Sequence, residues 1–144
     1  MRTRGILERR RVLVDTSAYF ALTYSRETTS IAARAIAGRL HAERWHVFTT
    51  NFVVAETHAL LVTRLNRDVA ATFLAELDRG PTTIVRASAE DERQARAIIA
   101  QYQDKDFSLT DAISFAVMER LGISYAFTFD HHFAQYGAVV LEPD

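Results

Sequence analysis

The chain has 144 residues, 49% hydrophobic and 24% charged, with a formal net charge of -1. That size predicts one domain over residues 1–144 with a substantial core, and no apolar run approaches the length of a membrane span. The absence of cysteine excludes disulfides, thiol nucleophiles and thiolate metal sites, and it fits a reducing, cytoplasmic setting.

The amino end is rich in arginine (Arg2, Arg4, Arg9, Arg10, Arg11) but has no hydrophobic region of the signal-peptide kind. It forms either a local basic face or a solvated terminus. Val12-Leu13-Val14 then reads as a short buried strand delivering Asp15-Thr16-Ser17 at its carboxyl end. In a parallel α/β sheet, ligands bind at that end. Thr28 or Thr29 can cap a helix carrying Ile31, Ala32, Ala35, Ile36 and Leu40, which Gly38 weakens near its end. Residues 45–49 predict a second strand. Asn51 reads as the cap of a helix through Leu65, with Glu56 inside it.

Residues 68–78 have helical amphipathic spacing and are stopped by Gly80-Pro81. A third strand spans 82–85. Ser88, followed by Glu90, Asp91 and Glu92, opens a helix towards Tyr102, with acidic groups where the helix dipole favours them. Ser108 and Asp111 fit the cap and N3 positions of a further helix. Behind them Ile113, Phe115, Ala116, Val117 and Met118 leave little polar face, so this helix is expected inside the fold. Residues 123–129 predict a fourth strand ending at Asp130, His131-His132-Phe133 a short turn or helix, and 138–141 an edge strand. The alternation predicts a three-layer α/β domain with a central, mostly parallel sheet flanked by helices.

Asp15 and Asp130 each follow an apolar strand, and Glu56 and Asp111 lie near helix starts, so all four could meet at one sheet edge. Such a cluster is costly without a compensating charge. No Lys or Arg stands within three residues of Asp15, Glu56 or Asp111. An all-oxygen pocket of this kind suits Mg²⁺ or Mn²⁺, which can acidify water and stabilise charge on a phosphodiester. Each acid also has a plainer reading. Asp111 can simply cap its helix, Asp15 and Asp130 can be turn residues, and Glu56 can face solvent.

Other chemistries find less support. There is no HExxH, P-loop, GxGxxG or GxSxG pattern, and His58 stands two beyond Glu56, a spacing that a helix does not bring side by side. A receiver-like signalling domain needs a second acid beside Asp15 and a phosphoacceptor Asp after a middle strand. Thr16-Ser17 and Thr49-Thr50-Asn51 stand in those places, and Ser17 likewise breaks a DxDxT phosphatase pattern.

Four blocks together resemble the PIN domain family, and more narrowly its VapC-type toxins. They are Val12–Ser17, Thr49–Glu56, Asp106–Ala112 and Phe127–Asp130. The resemblance implies a Mg²⁺- or Mn²⁺-dependent endoribonuclease whose acids match Asp15, Glu56, Asp111 and Asp130. Asp15 would be the central metal ligand, Glu56 and Asp111 would help hold the ion and position the attacking hydroxide, and Asp130 would complete the cluster. Ser17 and Thr128 match the small hydroxyl residues that support such sites, and Asp106 is peripheral. The resemblance also implies an RNA substrate, a cognate antitoxin and a homodimer, with no membrane role. It leaves Arg9, Arg10, Arg11 and Arg86 as candidates to touch phosphates. The alternatives are a PIN nuclease outside toxin–antitoxin pairs, acting in RNA processing or on structured DNA, and a silent PIN fold that only binds partners.

Overall fold

β1 (Arg11–Val14) carries three consecutive apolar side chains, which need cover on both faces. The computed structural model, which describes residues 9–24, 26 and 28–144, puts this strand in the middle of a five-stranded sheet. Arg2 and Arg4 lie outside the described residues. The elements that follow are α1 (Thr16–Thr23), α2 (Ser30–Ala42), β2 (His46–Thr50), α3 (Asn51–Arg64), α4 (Arg67–Arg79), β3 (Thr83–Val85), α5 (Ala89–Gln101), α6 (Leu109–Leu121), β4 (Tyr125–Phe127), α7 (His132–Tyr136) and β5 (Val139–Val140). The strand order is β3-β2-β1-β4-β5, and every pairing is parallel.

The two faces of β1 seed two cores. Leu13 packs with Phe107, Ile113, Phe115 and Phe133 under α5, α6 and α7. Val12 and Val14 pack with Ala18, Ala33, Ile36 and Leu40 under α1 and α2. A third cluster, Phe20, Leu61, Ala70, Phe73 and Leu77, ties α1 to α3 and α4. Helix α3 touches α1 and α6 as well as α4, so it runs between the two helical layers. Helix α6 is the buried helix that its composition predicts: all eight residues from Asp111 to Met118 are inaccessible or nearly so.

Serine caps work as expected at Ser88 and Ser108, each closing a reciprocal capping box with the aspartate at N3. Asn51 does not cap α3. Thr50, extended at the end of β2, accepts from the Val53 amide at 3.1 Å, and Asn51 becomes the first helical residue. Two neighbouring residues were both competent caps, and the strand end selected the first. The Asn51 side chain instead accepts from the Ala87 amide at 3.0 Å, tying α3 to the segment after β3. β4 is also shorter than expected, because Thr128, Phe129 and Asp130 leave the ladder and bond to one another and to Ser17.

The arginines at the start of β1 are structural. Arg9 donates to the carbonyls of Arg44 and Trp45 at 2.8 and 2.9 Å. Arg10 pairs with Glu43 at 3.0 Å and lies over the Trp45 ring. Arg11 donates to the Leu121 and Gly122 carbonyls at 2.7 and 2.9 Å, placing a cation at the negative end of α6. Gly122 takes the left-handed conformation that ends that helix.

Candidate active site

β1 and β4 are neighbours, yet the chain leaves β1 towards β2 on one side and β4 towards β5 on the other. Their carboxyl ends therefore border a crevice at the point where the connections diverge, the favoured ligand position in an open parallel sheet. Asp15 follows β1 directly and donates its amide to the Phe127 carbonyl at 3.1 Å. Thr128 and Asp130 follow β4.

Asp15 is buried and serves as the N-cap of α1. Its Oδ2 accepts from Thr128 Oγ1 at 2.9 Å, Ser17 Oγ at 3.0 Å and the Ser17 amide at 3.4 Å. Ser17 Oγ in turn accepts from the Phe129 amide at 2.8 Å, and Thr128 Oγ1 accepts from the Asp130 amide at 2.9 Å. The two hydroxyls thus lock the Asp15 carboxylate to the turn that carries Asp130. Burial pushes the Asp15 carboxyl up to about 6, with the Asp111 charge adding to the rise and the hydroxyl bonds opposing it.

Asp111 sits at the head of α6. Its Oδ2 accepts from the Ser108 amide at 3.3 Å and lies 3.1 Å from His132 Nδ1. Its carboxyl is also raised, first by burial and then by the nearby Asp130 charge. Asp130, half-buried, accepts from the His132 amide at 2.9 Å through Oδ1, which lies 3.1 Å from His132 Nδ1. Glu56 is exposed on α3, and its Oε1 accepts from Thr16 Oγ1 at 2.7 Å. Thr16 is the residue after Asp15, so Glu56 joins the crevice through a hydroxyl rather than by touching another acid.

The structure therefore brings Asp15 within electrostatic reach of Asp111, and Asp111 within reach of Asp130, and links Glu56 to Asp15 through the neighbouring Thr16. Asp106 is exposed on the loop before α6. Sequence reasoning missed two participants, Thr16 and His132. His132 carried a faint signal: an aspartate two residues earlier can accept the backbone amide in an Asx turn, as Asp130 does. Asp130, His131 and His132 also bring possible ligand atoms within 4.8 Å of one another.

Among the described residues no lysine or arginine pairs with any of the four acids. Buried carboxylates that raise one another's proton affinity, with hard oxygen donors and no protein cation, form a donor set that fits a divalent metal ion. Two cavities, of about 630 and 710 Å³, lie beside α1 around Tyr19, Leu22, Pro81 and Thr82, and include none of the four acids.

A sequence model of the PIN domain matches residues 12–139. The chain belongs to the PIN domain family. It is 32% identical over 134 residues to the 23S rRNA-specific endonuclease VapC20 of Mycobacterium tuberculosis, covering 92% of this chain and 99% of that protein. Ribonuclease VapC26 of the same organism is 27% identical over 124 residues, covering 85% and 90% of the two chains. A crystal structure of VapC20, described as a sarcin–ricin-loop-cleaving toxin, superposes with a TM-score of 0.83 at 30% identity, covering 92% and 99% of the chains. The Rickettsia felis VapBC2 structure, bound to promoter DNA, superposes at 0.68 with 11% identity, covering 91% and 97%, a likeness of fold alone.

PIN domains generally use divalent metal ions. Homology to VapC20-type toxin ribonucleases together with the clustered Asp and His side chains identifies a metal-dependent nuclease. No helix among the described residues is long and apolar enough to cross a membrane.

Proposed function

We propose that this PIN domain is a Mg²⁺- or Mn²⁺-dependent endoribonuclease in which Asp15, Glu56, Asp111 and Asp130 hold the ion and perform the chemistry. One observation carries the reading: Asp15, Asp111 and Asp130 gather at the sheet's switch point, and among the described residues no lysine or arginine is paired to them. When bound, the ion supplies an acidified water and neutralises charge developing on the phosphoryl oxygens.

The chain's own residues orient and restrain that chemistry. Ser17 and Thr128 fix the Asp15 carboxylate, which would be the central ligand. The Ser108 cap fixes Asp111 at the head of a buried helix. Thr16 aims Glu56 towards the same crevice, where its carboxylate would orient the attacking water and accept its proton. Asp130 completes the acidic set.

RNA is the proposed substrate, with ribosomal RNA first among candidates because VapC20 bears that specificity in its name. A cognate antitoxin partner is proposed from the VapBC complexes that share the fold, together with a homodimer, a single domain over residues 1–144 and a cytoplasmic location. Arg86 is the candidate phosphate contact among the arginines considered, since it is exposed and follows β3 at the edge bearing the acids. Arg9, Arg10 and Arg11 stand at the opposite end of β1, with Arg11 about 10 Å from Val14 at ~3.3 Å per residue.

The test is cleavage of purified ribosomal RNA with Mg²⁺ or Mn²⁺, beside an Asp15→Asn variant. Cleavage that stops with chelator and with the variant supports the reading. Equal cleavage by both proteins, or activity in excess chelator, overturns it.

A further inference from the structure

We propose that His132 is a positioning residue that clamps the Asp111 and Asp130 carboxylates together, its Nδ1 standing 3.1 Å from an oxygen of each. The proposal rests on the reading of the acids as a metal site. Both acceptors are carboxylates, so Nδ1 carries a proton and shares it between them. The acids belong to separate elements, Asp111 to the head of α6 and Asp130 to the turn after β4. Without a shared donor, like charge favours turning the two side chains apart.

The ring is itself held in place. Asp130 Oδ1 accepts from the His132 backbone amide at 2.9 Å, which fixes the histidine relative to one of the two acids it bridges. The Phe107 ring meets the imidazole edge-on, with centroids 5.5 Å apart. The next residue, Phe133, is fully buried and packs on Phe115 of α6, so the element carrying His132 is anchored to the helix carrying Asp111. Aromatic packing therefore sets the distance from the imidazole to Asp111, and a tight turn sets its distance to Asp130.

This arrangement differs from direct ligation by an Asp130–His131–His132 trio. Nδ1 of His132 is engaged with two carboxylates. His131 is largely exposed, and its Nδ1 lies 3.9 Å from Asp130. Hydrogen-bonded outer partners that orient ligating carboxylates typically matter about 10- to 100-fold in metal affinity.

Direct Mn²⁺ titration by calorimetry, without RNA, separates these roles in four proteins: the native chain, His132→Ala, His132→Asn and Asp15→Asn. Asparagine places an amide N–H where Nδ1 was and has nothing at the position of Nε2. We expect His132→Ala to lose about 10- to 100-fold in affinity and His132→Asn to recover most of it. Native affinity in His132→Ala overturns the clamp. So does an asparagine variant as weak as the alanine one, because the histidine would then act through Nε2 as a ligand. Native Mn²⁺ affinity in Asp15→Asn overturns the underlying metal-site reading instead. Circular dichroism of each variant confirms that the comparison is between folded proteins.

Discussion

Asp91 and Asp111 occupy the same place in two helices packed against each other, the N3 position of a serine capping box, but only Asp91 has a cation. Arg120, from α6, grips the Asp91 carboxylate with two bonds of 2.8 Å. Asp111 receives His132 and faces other acids. The same local motif thus ends in a neutralised structural pair in α5 and an unneutralised group at the crevice in α6.

Removing the Asp91 partner should cost stability and spare catalysis. Arg120 holds the Asp91 carboxyl below the usual range, so this pair stabilises the fold above pH ~4, where Asp ionises in the unfolded chain. That contribution disappears as the pH falls through the lower, folded value. Arg120→Met should lose about 1–3 kcal/mol at neutral pH by urea denaturation, and the loss should shrink in acid. A variant as stable as the native chain at pH 7 would show the pair to be without net effect.

Asp15 has the opposite sign. Its folded carboxyl is raised to about 6 from 3.8, so the metal-free protein favours the protonated form. The associated stability is fully present below pH ~4 and is lost as the pH rises through about 6. The upper bound is about 3 kcal/mol, at 1.36 kcal/mol per pKa unit. Asp15→Asn should therefore be more stable than the native chain at pH 7.5 in chelator, with the advantage fading towards pH 4. Urea midpoints at both pH values decide it, and a less stable variant at pH 7.5 would contradict the burial argument.

Thr16→Val should uncouple Glu56 from the crevice while preserving shape. The 2.7 Å bond is lost, and kcat/KM for RNA should fall by about 10-fold or more, the scale of outer-partner effects. Thr16→Ser restores the hydroxyl and should recover activity. Equal kcat/KM in native and valine proteins would mean that Glu56 needs no orientation from Thr16.

Arg86 and Arg11 should separate binding from stability. Arg86→Ala should weaken RNA binding and lower the salt slope by about one ion. Arg11→Ala should lower the melting temperature by uncapping α6, with the salt slope unchanged. Filter binding across a salt series and thermal melts of both variants distinguish them.

Much of this was legible because the signals were local. Val12-Leu13-Val14 before Asp15, Ser108 three residues before Asp111, and the apolar body of α6, interrupted only by Ser114, each follow from short-range patterns. The expected cap of α3 is off by one residue because Thr50 and Asn51 can both accept at a helix N-terminus, and only the strand end distinguishes them. The tasks of the amino-terminal arginines were invisible, since Arg11 serves carbonyls 110 and 111 residues away. His132 was hidden for a related reason. Its adjacency to His131 suggested nothing at helical spacing, and its bond to Asp111 exists only once α7 packs against α6.

The parallel order β3-β2-β1-β4-β5 has a consequence for synthesis. Thr128 meets Asp15 across 113 residues, and the strand that delivers it pairs directly with β1. A nascent chain that has emerged only through α5 carries Asp15 and Glu56 but neither Asp111, the Thr128 hydroxyl nor Asp130. The acidic crevice cannot close until the chain through Asp130 has left the ribosome, so fragments that stop before β4 are expected to lack nuclease activity.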